Sequence, residues 1–102
     1  MKIPSRIFLH GQTIEVVYDH KLSYTDDLSG LAVHRANKIT LMPKDKTNDI
    51  THEQVEQTFL HELTHFILEH MSRDKLQNDE PFVDGFSHLL HQALSTAEYD
   101  EE

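Results

Sequence analysis

The stretch HELTH, residues 61 to 65, places a glutamate directly after the first of two histidines that lie four positions apart. On an α-helix of 3.6 residues per turn, His61 and His65 lie one turn apart on one face, so both imidazoles can bind a single ion at about 2.0–2.1 Å. Glu62 is rotated by about 100° from His61, where a general base acting on a metal-bound water should lie. The pentapeptide therefore predicts a catalytic zinc site.

Chance is a real alternative because the chain has nine histidines in 102 residues. With residues placed independently, roughly 0.07 matches to HExxH are expected in a chain of this composition. The competing interpretation is a structural His pair satisfied by ordinary hydrogen bonds. The surroundings of the motif must distinguish the two.

The residues around HELTH predict a buried helix. Thr51 can cap its N-terminus, Gln54 can complete a capping box, and Ile50 can pack on Val55 as a hydrophobic staple. Apolar residues then recur at helical spacing to about Met71. They continue nearly all round the helix, so we expect it to be covered by a sheet on one side and by a second helix on another.

A third protein ligand is expected, because hydrolytic zinc sites usually have three and leave one position open. Glu80 can reach the ion, and Asp84, one turn later, can accept a hydrogen bond from the far ring nitrogen of a ligating histidine. Pro81 disfavours helical dihedrals at Glu80, which places Glu80 at the helix cap and leaves Asp79 or Asp84 as alternative ligands.

The second helix is predicted to begin between Asn78 and Pro81, where Asn or Asp can cap it. Its apolar residues follow the i, i+3, i+4, i+7 rule, and we expect this stripe to face the core. The stripe consists of Phe82, Phe86, Leu89, Leu90, Ala93 and Ala97. Phe59, Phe66, Phe82 and Phe86 are accordingly predicted to be core residues.

The first half of the chain predicts a small, mainly antiparallel sheet. Residues 6–18 suggest a hairpin turning at His10-Gly11-Gln12, and residues 31–42 a second one turning near Arg35 to Lys38. Residues 24–30 and 44–49 are polar connections. The fold class is α+β: one domain over 1–102, with a sheet half (1–43) and a two-helix metal-binding half (50–98).

Composition limits the function classes. A formal charge of −9 argues against nucleic acid and anionic membrane as partners. The chain has no cysteine, so a metal must be held by His, Asp or Glu. No apolar run has the length of a signal peptide or a membrane span, which predicts a cytoplasmic protein.

HELTH followed by Glu80-x-x-x-Asp84 resembles the gluzincins, zinc metallopeptidases that take two histidines from HExxH and a glutamate from a following helix. Within that clan, EPFVDGFSHLL is similar to the ExxANxFAxxLL signature of ImmA/IrrE-type peptidases, which are common in phages and mobile elements and cut repressor proteins. Asp84 stands where Asn is usual. The resemblance covers about residues 31–94 and implies a zincin-like domain that is a minimal peptidase core.

The expected function is zinc-dependent hydrolysis of peptide bonds, with a regulatory protein as a candidate substrate. Glu62 would take a proton from the metal-bound water and deliver it to the leaving nitrogen. The strand Lys38 to Met42 is predicted to be the free edge that pairs with the substrate. His88, His91 and Tyr24 are candidates for stabilising the oxyanion.

Two other functions remain open. One is a non-catalytic, zinc-stabilised protein-binding module of phage or mobile-element origin, which would have no need of Glu62. The other is a metal-free module whose acidic surface mimics nucleic acid. The remaining histidines are predicted to be non-ligands; they are His10, His20, His34, His52 and His70.

Overall fold

The computed structural model describes residues 1–22, 29–44 and 49–100. Its strands are β1 (Arg6–Leu9), β2 (Gln12–Tyr18), β3 (Gly30–Val33) and β4 (Lys38–Leu41). Its helices are α1 (His52–His70), α2 (Asp74–Gln77) and α3 (Glu80–Thr96). The strands form one sheet in the order β1-β2-β4-β3, and only the β2–β4 pair is parallel. The predicted α+β class with a mainly antiparallel sheet is confirmed.

Both predicted hairpins are present. The first turns at His10 and Gly11, which have φ of 50° and 75°, a conformation that suits a tight two-residue turn. The second turns through a 3₁₀ segment, His34–Ala36, and a left-handed Asn37. Most of the predicted polar connections, at 23–28 and 45–48, lie outside the described residues.

The position of β4 corrects the prediction that residues 38–42 form the free edge. β4 lies between β2 and β3, with Ile39 paired to Val16 on one side and to Ala32 on the other. Ile39 and Leu41 are fully buried, as expected of a central strand. The edge strand on this side of the sheet is β3, which packs against α1.

Helix α1 begins as predicted. The Gln54 amide donates to Thr51 Oγ1 at 3.1 Å, and the Thr51 amide donates to Gln54 Oε1 at 2.8 Å, which completes the capping box. The helix ends at His70. Its inner face joins the sheet in one core, whose buried members are Ile14, Val16, Ile39, Leu41, Val55, Phe59, Leu60 and Phe66.

A short helix that was not predicted, α2, lies between the two long ones. The chain leaves α1 through Met71 and a left-handed Ser72 with φ of 57°. The α2 segment has only four residues and none of them is buried, so it leaves no apolar period in the sequence. It matters because it brings Gln77 within hydrogen-bond distance of His65 on α1.

Helix α3 begins where predicted, but its cap is Asp79 and not Glu80, which is the first helical residue. The carboxylate of Asp79 accepts a hydrogen bond from the Phe82 amide at 3.1 Å. The predicted inward face is wrong: Val83 and Ser87 are fully buried, whereas Phe82 and Phe86 are exposed. Of the predicted stripe only Leu90 is half-buried. The apolar residues do share one face of α3, but this face points outward, because polar contacts with α1 set the rotation of α3 about its own axis.

Three polar contacts fix this rotation along the length of α3. Asp84 meets His61 at 2.8 Å, Ser87 meets Gln57 at 3.2 Å, and His91 meets Glu56 at 2.8 Å. Each joins a side chain of α3 to one of α1, and the three follow the inward side of α3 from its first turn towards its end. The helix thus presents its carboxylates, rather than its phenylalanines, to HELTH.

Candidate metal centre

Two imidazoles and one carboxylate meet where α1 faces the start of α3. His61 Nε2 lies 3.1 Å from Glu80 Oε2, and His65 Nε2 lies 3.0 Å from Glu80 Oε1. The ligand atoms of His61, His65 and Glu80 all lie within 4.8 Å of one another, so this group could hold a metal ion. Among the described residues it is the only group of three or more such side chains with this property.

The far nitrogens of both histidines are also engaged. His61 Nδ1 lies 2.8 Å from Asp84 Oδ1, and His65 Nδ1 lies 2.8 Å from Gln77 Oε1. Both oxygens are acceptors, so each Nδ1 carries its proton and donates it. This arrangement fixes the tautomer and directs the Nε2 lone pairs toward Glu80, as in histidines that ligate metals.

The donor set fits a cation. Each histidine faces an oxygen acceptor at both ring nitrogens, yet a neutral imidazole has only one N–H to donate. A cation held between the three side chains would let each Nε2 contribute its lone pair instead of a proton. Ligand atoms about 2.0–2.1 Å from a tetrahedral ion lie roughly 3.3 Å apart, and the two Nε2–oxygen distances, 3.1 and 3.0 Å, are close to that value.

Glu62 lies beside this group, under strand β3. Burial raises the pKa of its carboxyl, and the charge of Glu80 raises it further, while His61, His65 and a backbone hydrogen bond from Ala32 oppose the shift. The result is a pKa above the ordinary value of 4.5. A carboxylate whose pKa is raised in this way is a stronger base than an ordinary glutamate.

A close approach of β3 to α1 fixes this position of Glu62. A Cβ at Gly30 would overlap Thr58 Cγ2 and would lie 3.3 Å from Glu62 Cγ. Only glycine therefore lets the edge strand come this near to the helix. The strand then covers Glu62 on one side, and the backbone of Ala32 bonds its carboxylate.

Two cavities meet at Glu62. One of about 570 Å³ is lined by Gly30, Thr58, Asp84 and His88, and one of about 450 Å³ by Ala32, His34, Gln77 and Glu80. His61 and Glu62 line both cavities. A cleft therefore runs along β3 with the candidate base at its middle.

The remaining candidates fall in different places. His88 lines the larger cavity, whereas His91 is turned away and bonds Glu56. Asp79 caps α3, so its carboxylate is engaged elsewhere. Tyr24 lies outside the described residues.

Sequence reasoning missed two features of this region. Gln77 follows His65 by twelve positions on an exposed segment, and no pattern marks it. Glu56 binds His52 Nε2 at 2.9 Å, His91 Nε2 at 2.8 Å and the chain's amino terminus at 3.3 Å. The i, i+4 spacing of His52 and Glu56 was a visible signal for part of that second cluster.

Comparisons with protein families, with curated proteins and with solved structures find no match to this chain. None of the described helices has the length and apolar character needed to cross a membrane.

Proposed function

We propose that this protein is a zinc-dependent metallopeptidase of the gluzincin type. The observation that carries the proposal is the convergence of His61, His65 and Glu80 beside Glu62, a partly buried carboxylate with a raised pKa. The two nitrogens and one oxygen suit Zn²⁺, and Glu80, whose side chain is 59% exposed, leaves the group open to solvent. Zinc bound there would act as a Lewis acid on a water molecule and on the scissile carbonyl.

Glu62 is the general base and then the general acid. It accepts a proton from the attacking water and delivers it to the leaving amide nitrogen, so the carboxyl is unprotonated before and after the cycle. Its raised pKa suits the first role, because a carboxylate with a pKa above 4.5 accepts the proton of the water more readily. The protonated carboxyl is then the acid that protonates the leaving nitrogen.

Strand β3 holds the substrate in an extended conformation. It pairs with β4 on one side only in the described sheet, and the cleft beside Glu62 follows its other side. Because the amide of Ala32 bonds Glu62, a peptide added along β3 would pass directly over the base. This replaces Lys38 to Met42 as the proposed substrate edge.

His88 is the candidate for polarising the substrate carbonyl, because it lines the same cavity as Glu62. His91 is not a candidate, since Glu56 holds its ring on the far side of the α1–α3 contact. A His88→Asn variant should therefore lower the turnover number and leave zinc affinity unchanged.

The test compares the wild type with Glu62→Gln. Both proteins are loaded with zinc, their metal content is measured, and each is incubated with a mixture of unstructured peptides analysed by mass spectrometry. We expect about one zinc per chain in both and cleavage by the wild type alone, with a loss of at least about 100-fold in the variant. Cleavage at the wild-type rate by Glu62→Gln would contradict the mechanism.

A protein-binding module with a structural zinc is the second candidate, and one observation favours it. Helix α3 exposes a row of large apolar side chains that a peptidase centre does not use. The open metal group and the base beside it favour the enzyme. A zinc-loaded protein with no hydrolysis of any peptide would favour the module.

A further inference from the structure

Helix α3 carries an apolar strip on its outer surface. The strip consists of Phe82, Phe86, Leu89 and Ala93, at helical spacing i, i+4, i+7 and i+11. Phe82 is 37% exposed, Phe86 48% and Leu89 69%. Phe82 and Phe86 stack on each other, with ring centroids 6.1 Å apart, so the strip is a continuous surface rather than scattered residues. Contiguous apolar patches of this kind mark interaction sites.

The charge around the strip favours a second copy of the same chain. The protein carries a formal charge of −9, so two copies repel each other over most of their surfaces. From Pro81 to Ala97, however, the only Asp, Glu, Lys or Arg is Asp84, and that residue faces His61. The outer side of α3 is therefore a surface on which two acidic molecules can meet without bringing negative charges close together.

The strip is also complementary to itself. Consider a two-fold axis that lies between two antiparallel α3 helices, level with the bond between Ser87 and His88. This axis places Phe82 of one copy against Ala93 of the other, and Phe86 against Leu89. The ring of Phe82 thus faces the small side chain of Ala93 at each end, and the apolar side chains of Phe86 and Leu89 face each other near the axis, so the same surface serves both copies of an isologous dimer.

We infer that two copies of this chain associate through the strip, with their α3 helices antiparallel and the axis between Ser87 and His88. On the helix, Glu80 and Asp84 lie roughly opposite the strip, so the metal groups of both copies stay open in the dimer. The 17-residue helix is about 25 Å long. A pair of such helices buries less than the roughly 800 Å² per partner of a stable complex, so the dimer is weak and dissociates on dilution.

The first experiment measures the oligomeric state of the full chain by sedimentation equilibrium. We expect concentration-dependent dimers in the wild type. Leu89→Glu should raise the dimer dissociation constant at least about 100-fold, because each dimer contains two copies of the substitution. The matched control is Phe8→Glu on β1, which adds the same charge at an apolar residue that is 67% exposed. A wild type that stays monomeric up to about 1 mM, or loss of dimers in Phe8→Glu alone, would overturn the inference.

The second experiment tests the register. The chain has no cysteine, so an introduced thiol is the only one. Antiparallel pairing brings Phe82→Cys of one copy beside Ala93→Cys of another, whereas equal positions lie about 16 Å apart along the axis. A mixture of the two variants should form a disulfide dimer at least about ten times faster than either alone. Faster cross-linking within each single variant would overturn the antiparallel arrangement.

Neither experiment depends on zinc or on hydrolysis, so the dimer and the proposed enzyme are tested separately.

Discussion

Helix α1 takes part in two clusters that are built from the same residue types, two histidines and one glutamate, but differ in geometry and burial. In the first, Glu80 joins His61 and His65, and its side chain is 59% exposed. In the second, Glu56 joins His52 and His91, and its side chain is 4% exposed. We call them the metal cluster and the Glu56 cluster.

The two clusters differ in what lies at the centre. In the metal cluster three ligand atoms converge, leaving a position that each of them faces. In the Glu56 cluster the carboxylate itself is central: His91 is at Oε1, and His52 and the amino terminus are at Oε2. The charge of Glu56 is thus already compensated by the protein. The first cluster could therefore hold a cation, whereas the second already surrounds its carboxylate with donors.

The pKa values follow this difference. Burial acts to raise the pKa of Glu56, but hydrogen bonds from His91 and the amino terminus, together with nearby positive charge, hold it below 4.5. Glu62, beside the metal cluster, has the opposite net shift because burial outweighs its favourable contacts. Glu56 is thus held in its charged form, whereas the carboxylate of Glu62 accepts a proton more readily than an ordinary glutamate does.

The largest expected effect separates the histidines of the two clusters. His65→Ala should weaken zinc binding by more than about 100-fold, because a ligand is lost. His91→Ala should leave zinc affinity within about threefold of the wild type. Isothermal titration of the metal-free proteins measures both. Equal losses in the two variants would show that the clusters are not distinct.

The next effect orders the carboxylates around the metal cluster. Glu80→Ala should weaken zinc binding more than Asp84→Ala does, because Glu80 faces both Nε2 atoms whereas Asp84 orients only His61. We expect about 10- to 100-fold for Asp84→Ala. Gln77→Ala, which frees the ring of His65, should lie in the same range. The reverse order of Glu80 and Asp84 would reassign the third ligand.

Glu56→Gln tests the stabilising role of the Glu56 cluster. We expect a loss of about 2 kcal/mol in the unfolding free energy of the metal-free protein at pH 7. Because the folded pKa lies below the unfolded value near 4.5, the contribution of Glu56 is present above pH 4.5 and is lost as the pH falls through the folded pKa. Urea unfolding of both proteins at several pH values should show the difference shrinking at the acid end. A difference that grows toward low pH would contradict this sign.

The smallest expected effect has the opposite sign. Glu62→Gln should stabilise the metal-free protein at pH 7 by about 1 kcal/mol, because it removes a partly buried charge whose folded pKa is raised. Thermal unfolding in the presence of a chelator measures it. Gln57→Glu, which adds a charge five residues earlier on α1, should be destabilising and serves as the control. A less stable Glu62→Gln protein would mean that Glu62 is held for structure.

Much of this architecture follows from local rules. The capping box at Thr51, both hairpin turns and the start of α3 were predictable because short-range chemistry determines each one. The spacing of His61, His65 and Glu80 likewise predicted which side chains could converge, and the structure brings them together.

The remaining features depend on long-range contacts. The parallel pairing of β2 with β4 makes β3 the edge, and no local pattern in β4 distinguishes a central strand from an edge strand. The rotation of α3 is set by Asp84, Ser87 and His91 reaching α1, which reversed the expected burial of Phe82 and Phe86. Gln77 reaches His65 only because α2 folds back.

The most direct test of the difference between the two clusters is an anomalous difference map, collected at the zinc absorption edge from crystals of the zinc-loaded full chain. The proposed function predicts one strong peak about 2.0–2.2 Å from His61 Nε2, His65 Nε2 and a Glu80 oxygen, and none near Glu56. A peak among His52, Glu56 and His91, or a zinc-loaded crystal with no peak at Glu80, would contradict the central claim.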